Sequence, residues 1–364
     1  MSVTVFIDGQ SAAHFAGYLD ALAQLGPVPD ESQQSAFIWT RQPQQRATSH
    51  CVWLNPPADT AQEDWLQAGG SILSSRRVAA GIEDCLFQGR SRTRVRSRLR
   101  APIDPAILAA FLAHDFPLVD ALMLARAYRG GGWPNDLSHY PEPVGGPQSP
   151  VRFAQFPRHA GLYAVVPASE WVRRLAEAAV PVLQLRNKCN DAAQRAAEMR
   201  RAIDAVARTG ALLFINDDWQ LAIEHNAYGV HLGQQDIQTA DLRAVQQSGL
   251  RLGISTHGIY EMLRAHACKP SYIALGAIYV TSTKSMPTAP QGLRRLRHYV
   301  HLMSPHYPLV AIGGIDLSRI AGIWATGVDC AAVLRAIVDA PDYRQAAASL
   351  LAMTPRVACG SDAA

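Results

Sequence analysis

The sequence predicts an α/β protein: a (β/α)8 TIM barrel in the C-terminal part, preceded by a smaller α/β domain. From residue 161 onward, eight short apolar runs alternate with amphipathic stretches, which is the element count of a small barrel. Before them, residues 131–152 are rich in Gly, Pro and Ser, have no apolar period and predict a linker. An open doubly wound sheet is the alternative, but no G-x-G-x-x-G motif opens the first βα unit.

Length and composition agree with two domains. The chain has 364 residues, of which 48% are apolar, enough for a substantial core. We expect an accessory domain over residues 1–130, the linker over 131–152 and the barrel over 153–355. The net charge of +4 is mildly basic and does not by itself argue for a nucleic-acid partner.

Several protein classes are disfavoured by simple patterns. The six cysteines form no C-x-x-C pair, which is typical of reduced thiols in a cytosolic protein rather than of a disulfide framework or a zinc site. The first residues lack a basic n-region and a long apolar h-region, and no apolar run reaches the roughly 18 residues of a membrane span. We therefore expect a cytoplasmic protein with small-molecule partners and no membrane partner. Nucleic acid is not expected, and a homo-oligomer is left open.

The barrel strands are predicted from apolar runs bounded by polar or turn residues. These runs cover residues 161–167, 181–187, 211–217, 228–234, 251–256, 272–279, 308–315 and 328–336. The stretch after the second run has apolar spacing near 3.6 residues and a terminal glycine, which predicts a helix. Because barrel chemistry lies at the C-terminal ends of the strands, polar residues there are interpreted first as functional.

Two cations and an amide follow one another at the end of the second strand. The two-residue alternation of a strand puts Gln184, Arg186 and Lys188 on one face, which points inward at the barrel mouth. Such a cluster needs either an anionic ligand or a carboxylate from a neighbouring strand. We favour the anionic ligand.

Carboxylates follow the third and fourth strands. Asp217 and Asp236 are close to the predicted cation cluster, and Mg²⁺ favours one or two carboxylates together with phosphate oxygens. We therefore expect one Mg²⁺ per active site, bound by these two residues. Asp218 begins the next predicted helix and is interpreted as its N-cap.

The later strands end in hydroxyls, a lysine and glycines. Thr281, Thr283 and Lys284 follow the sixth strand and can bind phosphate oxygens, while Gly314 lets backbone N–H groups approach an anion. A diphosphate site and a monophosphate site in one mouth suggest group transfer between two phosphorylated substrates. His257, after the fifth strand, is either an acid/base or a structural histidine.

Five stretches between about residues 160 and 340 resemble the thiamine-phosphate synthase (thiamine-phosphate pyrophosphorylase) family. They are "LQLRNK", "INDDWQLAIEHNAYGVHLGQQD", "LGISTH", "SYIALGAIYVTSTKSMPTAPQGL" and "VAIGGI", in family order and spacing. The resemblance implies a transferase of thiamine biosynthesis. It condenses 4-amino-2-methyl-5-(diphosphooxymethyl)pyrimidine with a (carboxy)thiazole phosphate, giving thiamine phosphate and diphosphate. Mg²⁺ assists departure of the diphosphate, and the amino group of the substrate stabilises the pyrimidine-methyl cation.

The resemblance also implies roles for individual residues. Contacts to the pyrimidine diphosphate fall on Gln184, Leu185, Arg186, Asn187, Lys188, Asn216, Ser255 and Lys284. Contacts to the thiazole phosphate fall on Thr281, Ser282, Thr283, Gly314, Leu334 and Arg335. The metal ligands are Asp217 and Asp236, and the catalytic residues are Lys284, Arg186 and Lys188.

One departure from the family and two alternative functions stay open. Many members have a serine where Arg335 stands, so either its side chain or backbone N–H groups bind the phosphate. A thiazole tautomerase-like enzyme is one alternative, since that family uses a histidine at the position of His257. The other is a catalytically dead sensor of thiamine precursors. The tautomerase handles no diphosphate, so the combination of Asp217, Asp236 and Lys284 favours the synthase.

The first 130 residues are less informative. Residues 3–9 predict a strand and residues 102–131 predict two helices, with Pro117 opening the second. The pair weakly resembles the C-terminal helices of hydroxymethylpyrimidine phosphate kinases, but no glycine-rich anion hole precedes it. We expect a degenerate ribokinase-like fragment without kinase activity. Arginines at alternate positions over residues 90–100 would share one face of a strand, and we interpret the stretch as a solvated edge strand or mobile loop rather than a docking surface.

Overall fold

A computed structural model describes residues 5–7, 10–11, 16–26, 36–39, 51–56, 61–281 and 289–355. The chain divides into two compact units, Met1–Gly146 and Pro147–Ala364. The interval predicted as a linker, residues 131–152, is divided between them. The Val144 N–H donates to the Arg94 carbonyl in the first unit, whereas the Ser149 N–H donates to the Ala267 carbonyl in the second.

Within the described ranges, the first unit contains one sheet of eight strands. These are β1 (Val5–Ile7), β2 (Gln10–Ser11), β3 (Ala36–Trp39), β4 (Cys51–Leu54), β5 (Ser71–Val78), β6 (Gly81–Gln88), β7 (Ser91–Ser97) and β8 (Glu142–Pro143). Their order in the sheet is β2-β1-β3-β4-β5-β6-β7-β8. The pairs from β1 through β5 are parallel, apart from the antiparallel β1–β2 pair, and the pairs from β5 to β8 are antiparallel. The predicted smaller α/β domain is confirmed.

The helices of the first unit include the predicted pair. They are α1 (Ala16–Leu25), α2 (Ala61–Gln67), α3 (Pro105–Ala113) and α4 (Leu118–Ala127). The Asp104 carboxylate caps α3 by accepting from the Ala106 N–H at 2.8 Å, and Pro117 stands at the N-cap of α4. β7 is paired on both sides, since β8 lies opposite its Val95 and Arg96. It is therefore the seventh strand rather than the solvated edge that we expected.

In the described part of the second unit, eight parallel strands close into a barrel. They are β9 (Gly161–Val166), β10 (Val182–Leu185), β11 (Leu212–Asn216), β12 (Gly229–Leu232), β13 (Arg251–Thr256), β14 (Tyr272–Leu275), β15 (Leu309–Ile312) and β16 (Cys330–Val333). Neighbours along the chain are neighbours in the barrel, and β16 pairs with β9 to close it. The predicted fold class is confirmed. β14 ends at Leu275, four residues before its predicted end, because the chain then crosses towards β15, where the Ile278 N–H donates to the Ile312 carbonyl.

Helices follow the strands around the barrel. They are α5 (Ser169–Glu177), α6 (Ala192–Val206), α7 (Trp219–Glu224), α8 (Asp236–Thr239), α9 (Leu242–Gln247), α10 (Ile259–Ala267), α11 (Gly292–Met303), α12 (Ile320–Trp324), α13 (Arg335–Val338) and α14 (Tyr343–Ala352). Asp191 caps α6 through the N–H groups of the second and third residues, and Gly210 follows the helix with a φ of +74°. Among the described residues, no helix combines the length and the apolar character needed to cross a bilayer.

The barrel interior is filled by aromatic rings from alternate strand positions. Tyr163, Phe214 and Tyr272 pack on one another and on Phe156, which precedes β9. A Cβ atom at Gly253 would lie 2.1 Å from the ring of Tyr272, its partner across the β13–β14 pair, so only glycine admits that ring. This aromatic layer lies under the C-terminal ends of the strands.

Candidate active site

A cavity of about 630 Å³ opens at the C-terminal ends of the barrel strands. The structure brings most of the predicted site residues to its wall. These are Gln184, Arg186, Asn216, Asp217, Asp236, Ser255, Thr281, Gly314, Leu334 and Arg335. They lie on β10, β11 and β13 and in the segments that follow β10, β11, β12, β14, β15 and β16, so residues far apart in sequence share one chamber.

Three predicted residues next to Gln184 do not line the cavity. Leu185 is buried on the other face of β10, and the Asn187 side chain accepts the Cys189 N–H at 2.8 Å in a local turn. Lys188 is exposed outside the wall. Because β10 ends at Leu185, the two-residue alternation reaches Arg186 but does not extend to Lys188.

The loop after β14 is described only at its two ends. Thr281 lines the cavity, as predicted for a thiazole-phosphate contact. Ser282, Thr283 and Lys284 lie outside the described residues, so the roles predicted for them stay predictions.

Two carboxylates face each other on one side of the cavity. Asp217 adopts a φ of +65° directly after β11, and its N–H donates to the His231 carbonyl at 3.0 Å. Asp236, at the start of α8, accepts the Gly233 N–H at 3.0 Å. Burial, and then the charge and hydrogen bond of Asp236, raise the pKa of Asp217 to about 6, while the Arg186 guanidinium opposes this shift.

The mutual repulsion of these carboxylates suits a divalent cation. Two oxygen-bearing side chains in one wall are the donor set that Mg²⁺ uses when phosphate oxygens and water complete its coordination. Among the described residues, no group of three or more His, Cys, Asp and Glu side chains is arranged to hold a metal. Asp217 and Asp236 therefore fit a cation shared with a phosphorylated ligand and do not fit an all-protein metal cage.

Asp218 stands at the N-cap position of α7, as predicted, but its side chain does not cap the helix. Its side chain makes no capping hydrogen bond to α7, and its carboxylate instead pairs with the Arg195 guanidinium of α6 at 3.0 Å. A charged partner on the neighbouring helix outcompetes the local backbone donors.

A second end of the cavity is built from glycine backbone and guanidinium groups. Gly314 has a φ of +64°, and a Cβ there would lie 2.5 Å from the Val280 carbonyl oxygen, so the chain can make this turn only with glycine. Arg319, which the sequence interpretation missed, donates to the Gly314 carbonyl at 2.8 Å and stacks on Tyr279. Arg319 and Arg335 both line the cavity, as does Asp316, which pairs with Arg319 at 3.7 Å, so the two guanidinium groups outnumber the one carboxylate at this end.

His257 also lines the cavity and has a carboxylate partner. Its Nδ1 lies 2.7 Å from Glu261 Oε2, which also accepts the His257 N–H at 2.8 Å. The imidazole is therefore held in one orientation, a geometry that both the acid/base and the structural interpretation allow.

A buried chain of hydrogen bonds crosses the barrel beneath the cavity. Gln184 Nε2 donates to Tyr163 Oη at 2.9 Å, Tyr163 Oη lies 2.9 Å from Tyr272 Oη, and Tyr272 Oη lies 2.7 Å from His231 Nδ1. His231 Nε2 lies 2.6 Å from Ser255 Oγ. Both tyrosines were missed because they sit in runs interpreted as apolar core. Their inward positions on β9 and β14 are the signal that could have identified them.

Comparison with known proteins decides the family. A protein-family model described as "Thiamine monophosphate synthase" matches residues 162–337. The thiamine-phosphate synthase of Pectobacterium atrosepticum is 50% identical over 201 residues, which cover 55% of this chain and 94% of that protein. The chain belongs to the thiamine-phosphate synthase family. The thiamine-phosphate synthase of Salmonella typhimurium is 51% identical over 201 residues, 95% of its length.

Membership of the thiamine-phosphate synthase family confirms the recognition and the activity predicted from the sequence: the chain is a transferase of thiamine biosynthesis. A solved structure described as thiamine phosphate pyrophosphorylase from Pyrococcus furiosus is 26% identical, with a TM-score of 0.49, and the match covers 54% of this chain and 96% of that one. The stretch matched by the family model lies wholly within the second unit, so the first unit has no counterpart in that match.

Proposed function

We propose that the barrel cavity condenses 4-amino-2-methyl-5-(diphosphooxymethyl)pyrimidine with a thiazole phosphate, releasing diphosphate and forming thiamine phosphate. One observation carries this proposal beyond family membership. A single cavity has a carboxylate pair beside Arg186 at one side and the Gly314 turn with Arg319 and Arg335 at another. Two separate anion-binding ends in one chamber suit two phosphorylated substrates.

The pyrimidine diphosphate is assigned to the side of β10, β11 and β13. Gln184, Asn216 and Ser255 supply uncharged hydrogen-bonding groups from the cavity wall, which suit the aminopyrimidine ring and diphosphate oxygens. Arg186 supplies a guanidinium for the diphosphate, and Lys284 is proposed to add a second cation. Leu185, Asn187 and Lys188 lie outside the wall, so we assign them no direct contact in this geometry.

Asp217 and Asp236 are proposed to hold one Mg²⁺. When bound, the cation neutralises charge that develops on the departing diphosphate. Without it, the two carboxylates would repel that same charge. The carboxylate pair thus makes diphosphate binding on this side dependent on the metal.

The reaction needs orientation and charge stabilisation more than proton transfer. The bond between the pyrimidine methylene carbon and the diphosphate oxygen breaks, and its electron pair leaves with the diphosphate. The thiazole nitrogen then donates its lone pair to that carbon. Because the exocyclic amino group of the substrate supports the intermediate cation, no side chain must act as a general base. The protein binds both partners in line and stabilises the leaving group.

The thiazole phosphate is assigned to the loops after β14, β15 and β16. Thr281, Gly314 and Leu334 line the cavity, and a hydroxyl with backbone N–H groups is a donor set that suits phosphate oxygens. Ser282 and Thr283 are proposed to contribute from the same loop as Thr281. Arg335 adds a charge that the serine of many family members lacks.

The direct test is thiamine phosphate formation by the purified full-length protein, with Mg²⁺ varied. We expect Mg²⁺-dependent turnover. Asp217→Asn should lower the turnover by at least about a hundredfold, because only the Asp236 carboxylate is then left to hold the cation. Asp218→Asn is the matched control, since Asp218 pairs with Arg195 outside the cavity. Binding of both substrates without turnover would support the sensor instead. Thiazole isomerisation without any diphosphate substrate would support the tautomerase.

For residues 1–130 we propose an accessory role without kinase activity. The family match within the second unit supports this division of labour. The measurement is phosphorylation of hydroxymethylpyrimidine phosphate by the full chain with ATP and Mg²⁺, where we expect no product.

A further inference from the structure

The hydrogen-bond chain under the cavity joins two residues of the cavity wall that lie on different strands. Gln184 on β10 and Ser255 on β13 are its ends, and Tyr163, Tyr272 and His231 are its inner members. Gln184, Tyr163, Tyr272 and His231 are each at most 7% exposed. Only the two ends and the edge of His231 reach the cavity.

With Gln184 Nε2 facing Tyr163 Oη, the number of protons fixes the direction of donation. Tyr163 Oη accepts a hydrogen bond from the Gln184 amide, so the Tyr163 hydroxyl donates its own hydrogen bond to its other partner, Tyr272. Tyr272 Oη therefore accepts the hydrogen bond from Tyr163, and its hydroxyl donates a hydrogen bond to His231 Nδ1. A neutral His231 carries its proton on Nε2 and donates it to Ser255 Oγ.

The opposite direction leaves a proton without an acceptor. If Ser255 donated to His231 and His231 to Tyr272, then Tyr272 would donate to Tyr163. The hydroxyl proton of Tyr163 would find no acceptor in these contacts, and leaving a buried donor unpaired is costly. Burial also raises the pKa of both phenols well above the usual value, so each keeps its single proton.

We propose that Tyr163, Tyr272 and His231 are positioning residues that hold Ser255 as an obligate hydrogen-bond donor to the pyrimidine diphosphate substrate. This inference rests on the proposed function and deepens it. With His231 Nε2–H already donating to its oxygen, the Ser255 hydroxyl proton is free only for the cavity. The substrate offers it acceptors, namely the diphosphate oxygens and the ring nitrogens.

A fixed donor differs from an ordinary serine in how much it must reorganise. A serine free to donate back to an imidazole loses its donor part of the time and must rotate as charge grows on the leaving group. Here the proton already points at the ligand, and successive donors in a chain polarise one another. Preorganised donors of this kind lower the barrier rather than only tightening binding.

The first measurement reads the direction of donation without any assay. The imidazole of His231 should be the neutral Nε2–H tautomer at pH 7.5 in the full-length protein. ¹⁵N-histidine spectra report this, with the His231 signals assigned by their loss in His231→Gln. In Tyr272→Phe, Nδ1 loses the hydroxyl that donates a hydrogen bond to it, and the His231 signals should shift towards a mixture of the two tautomers. A wild-type His231 with its proton on Nδ1 overturns the proposal, even if no variant folds well.

The second measurement is kinetic. Tyr272→Phe should lower kcat about tenfold or more while KM for the thiazole phosphate stays within about twofold. Tyr163→Phe should lower kcat less than Tyr272→Phe does, because the Tyr272 hydroxyl can still donate a hydrogen bond to His231. Tyr307→Phe is the matched control: its buried hydroxyl also meets a histidine nitrogen, that of His266, at 2.9 Å, and neither residue lines the cavity.

The outcomes separate positioning from general structural damage. Equal losses of kcat in Tyr272→Phe and Tyr307→Phe would mean that the chain only stabilises the barrel, and an unchanged kcat in Tyr272→Phe would contradict any role. If the wild-type protein makes no thiamine phosphate, the proposed function fails, whereas the tautomer measurement still decides the direction of donation.

Discussion

Asp217 shows how one residue can carry a pH response. Its pKa is raised to about 6 by burial first and by Asp236 second, above the value of about 3.8 of an unperturbed aspartate. A carboxyl group whose pKa is higher in the folded state than in the unfolded state stabilises the metal-free protein. The stabilisation is complete at a pH below the unfolded-state pKa. That contribution is lost as the pH rises through about 6. A cation between Asp217 and Asp236 would compete with protons in the same range.

The rise in melting temperature caused by Mg²⁺ should therefore grow between pH 5 and pH 7.5, because the ligand pair loses its proton over that interval. Thermal unfolding of the full-length protein, with and without saturating Mg²⁺ at each pH, measures this. In Asp217→Asn the Mg²⁺ effect should be small at every pH. A Mg²⁺ effect of equal size at pH 5 and pH 7.5 in the wild-type protein would contradict the site.

Gly314 is the second residue whose local geometry predicts an effect. Its φ of +64° and a Cβ-to-Val280 oxygen distance of 2.5 Å mean that an alanine must shift the loop that faces the thiazole phosphate. Gly314→Ala should raise KM for the thiazole phosphate by about tenfold or more and change KM for the pyrimidine diphosphate little, in steady-state assays with each substrate varied in turn.

The control for this prediction is Gly249→Ala. Gly249 also has a positive φ, +78°, but nothing lies within 4 Å of its virtual Cβ. It should lose about 1 kcal/mol of stability from backbone strain and keep both KM values. Similar KM changes in the two variants would show that backbone strain, not the Val280 contact, controls the thiazole site.

Residues that follow strands were predictable, and residues that depend on distant partners were not. Asp217 and Gly314 stand directly after apolar runs, so the barrel rule alone points to them. Asp218 was misread because its partner Arg195 lies on another helix, which no local pattern reveals. Tyr163 and Tyr272 were missed because a phenol inside an apolar run is typical of core packing.

At the scale of elements, β7 shows what an alternating pattern can and cannot predict. The alternation placed Arg92, Arg94 and Arg96 on one face, and the register with β6 agrees. The pattern could not show Glu83, which the hairpin between β5 and β6 brings opposite Arg76 and Arg96. Glu83 Oε1 lies 2.6 Å from Arg76, and Glu83 Oε2 lies 3.0 Å from Arg96.

Glu83→Gln should destabilise the first unit by about 1–3 kcal/mol, because the arginines lose the carboxylate that they surround while the side chain stays 3% exposed. Hydrogen bonds from Arg76 and Arg96 lower the pKa of Glu83. The stabilisation is therefore present above the unfolded pKa and is lost as the pH falls through the lower folded pKa. Urea unfolding at pH 7.5 and at pH 4 should show a smaller difference between wild type and Glu83→Gln at the lower pH.

Glu142→Gln is the control for the arginine cluster. Glu142 pairs with Arg98 at 3.2 Å, but both side chains are largely exposed, and exposed ion pairs contribute little. Its loss should change stability by less than about 0.5 kcal/mol. A Glu142→Gln effect as large as that of Glu83→Gln would show that net charge, rather than the buried carboxylate, stabilises the sheet.

At the scale of the whole molecule, the chain joins a barrel of known family to a unit outside the family match. The matched stretch of residues 162–337 lies inside the second unit, and relatives such as the Pectobacterium atrosepticum enzyme are covered over 94% of their length by 55% of this chain. The Gly/Pro-rich interval contains the boundary between the two units, which falls after Gly146. The sequence pattern could not show that residues of this interval form backbone hydrogen bonds within each unit, Val144 in the first and Ser149 in the second.

The synthase activity should therefore belong to the second unit alone. Every residue that lines the cavity comes from that unit, and so do the strands and helices that position these residues. Residues 147–364, expressed separately, should form thiamine phosphate with kcat and both KM values within about threefold of the full chain, a difference of less than about 1 kcal/mol in barrier height. Circular dichroism and thermal unfolding of the fragment establish that it is folded before it is assayed. A folded fragment whose kcat falls a hundredfold, with activity restored by adding residues 1–146 in trans, would instead make the first unit part of the catalytic protein.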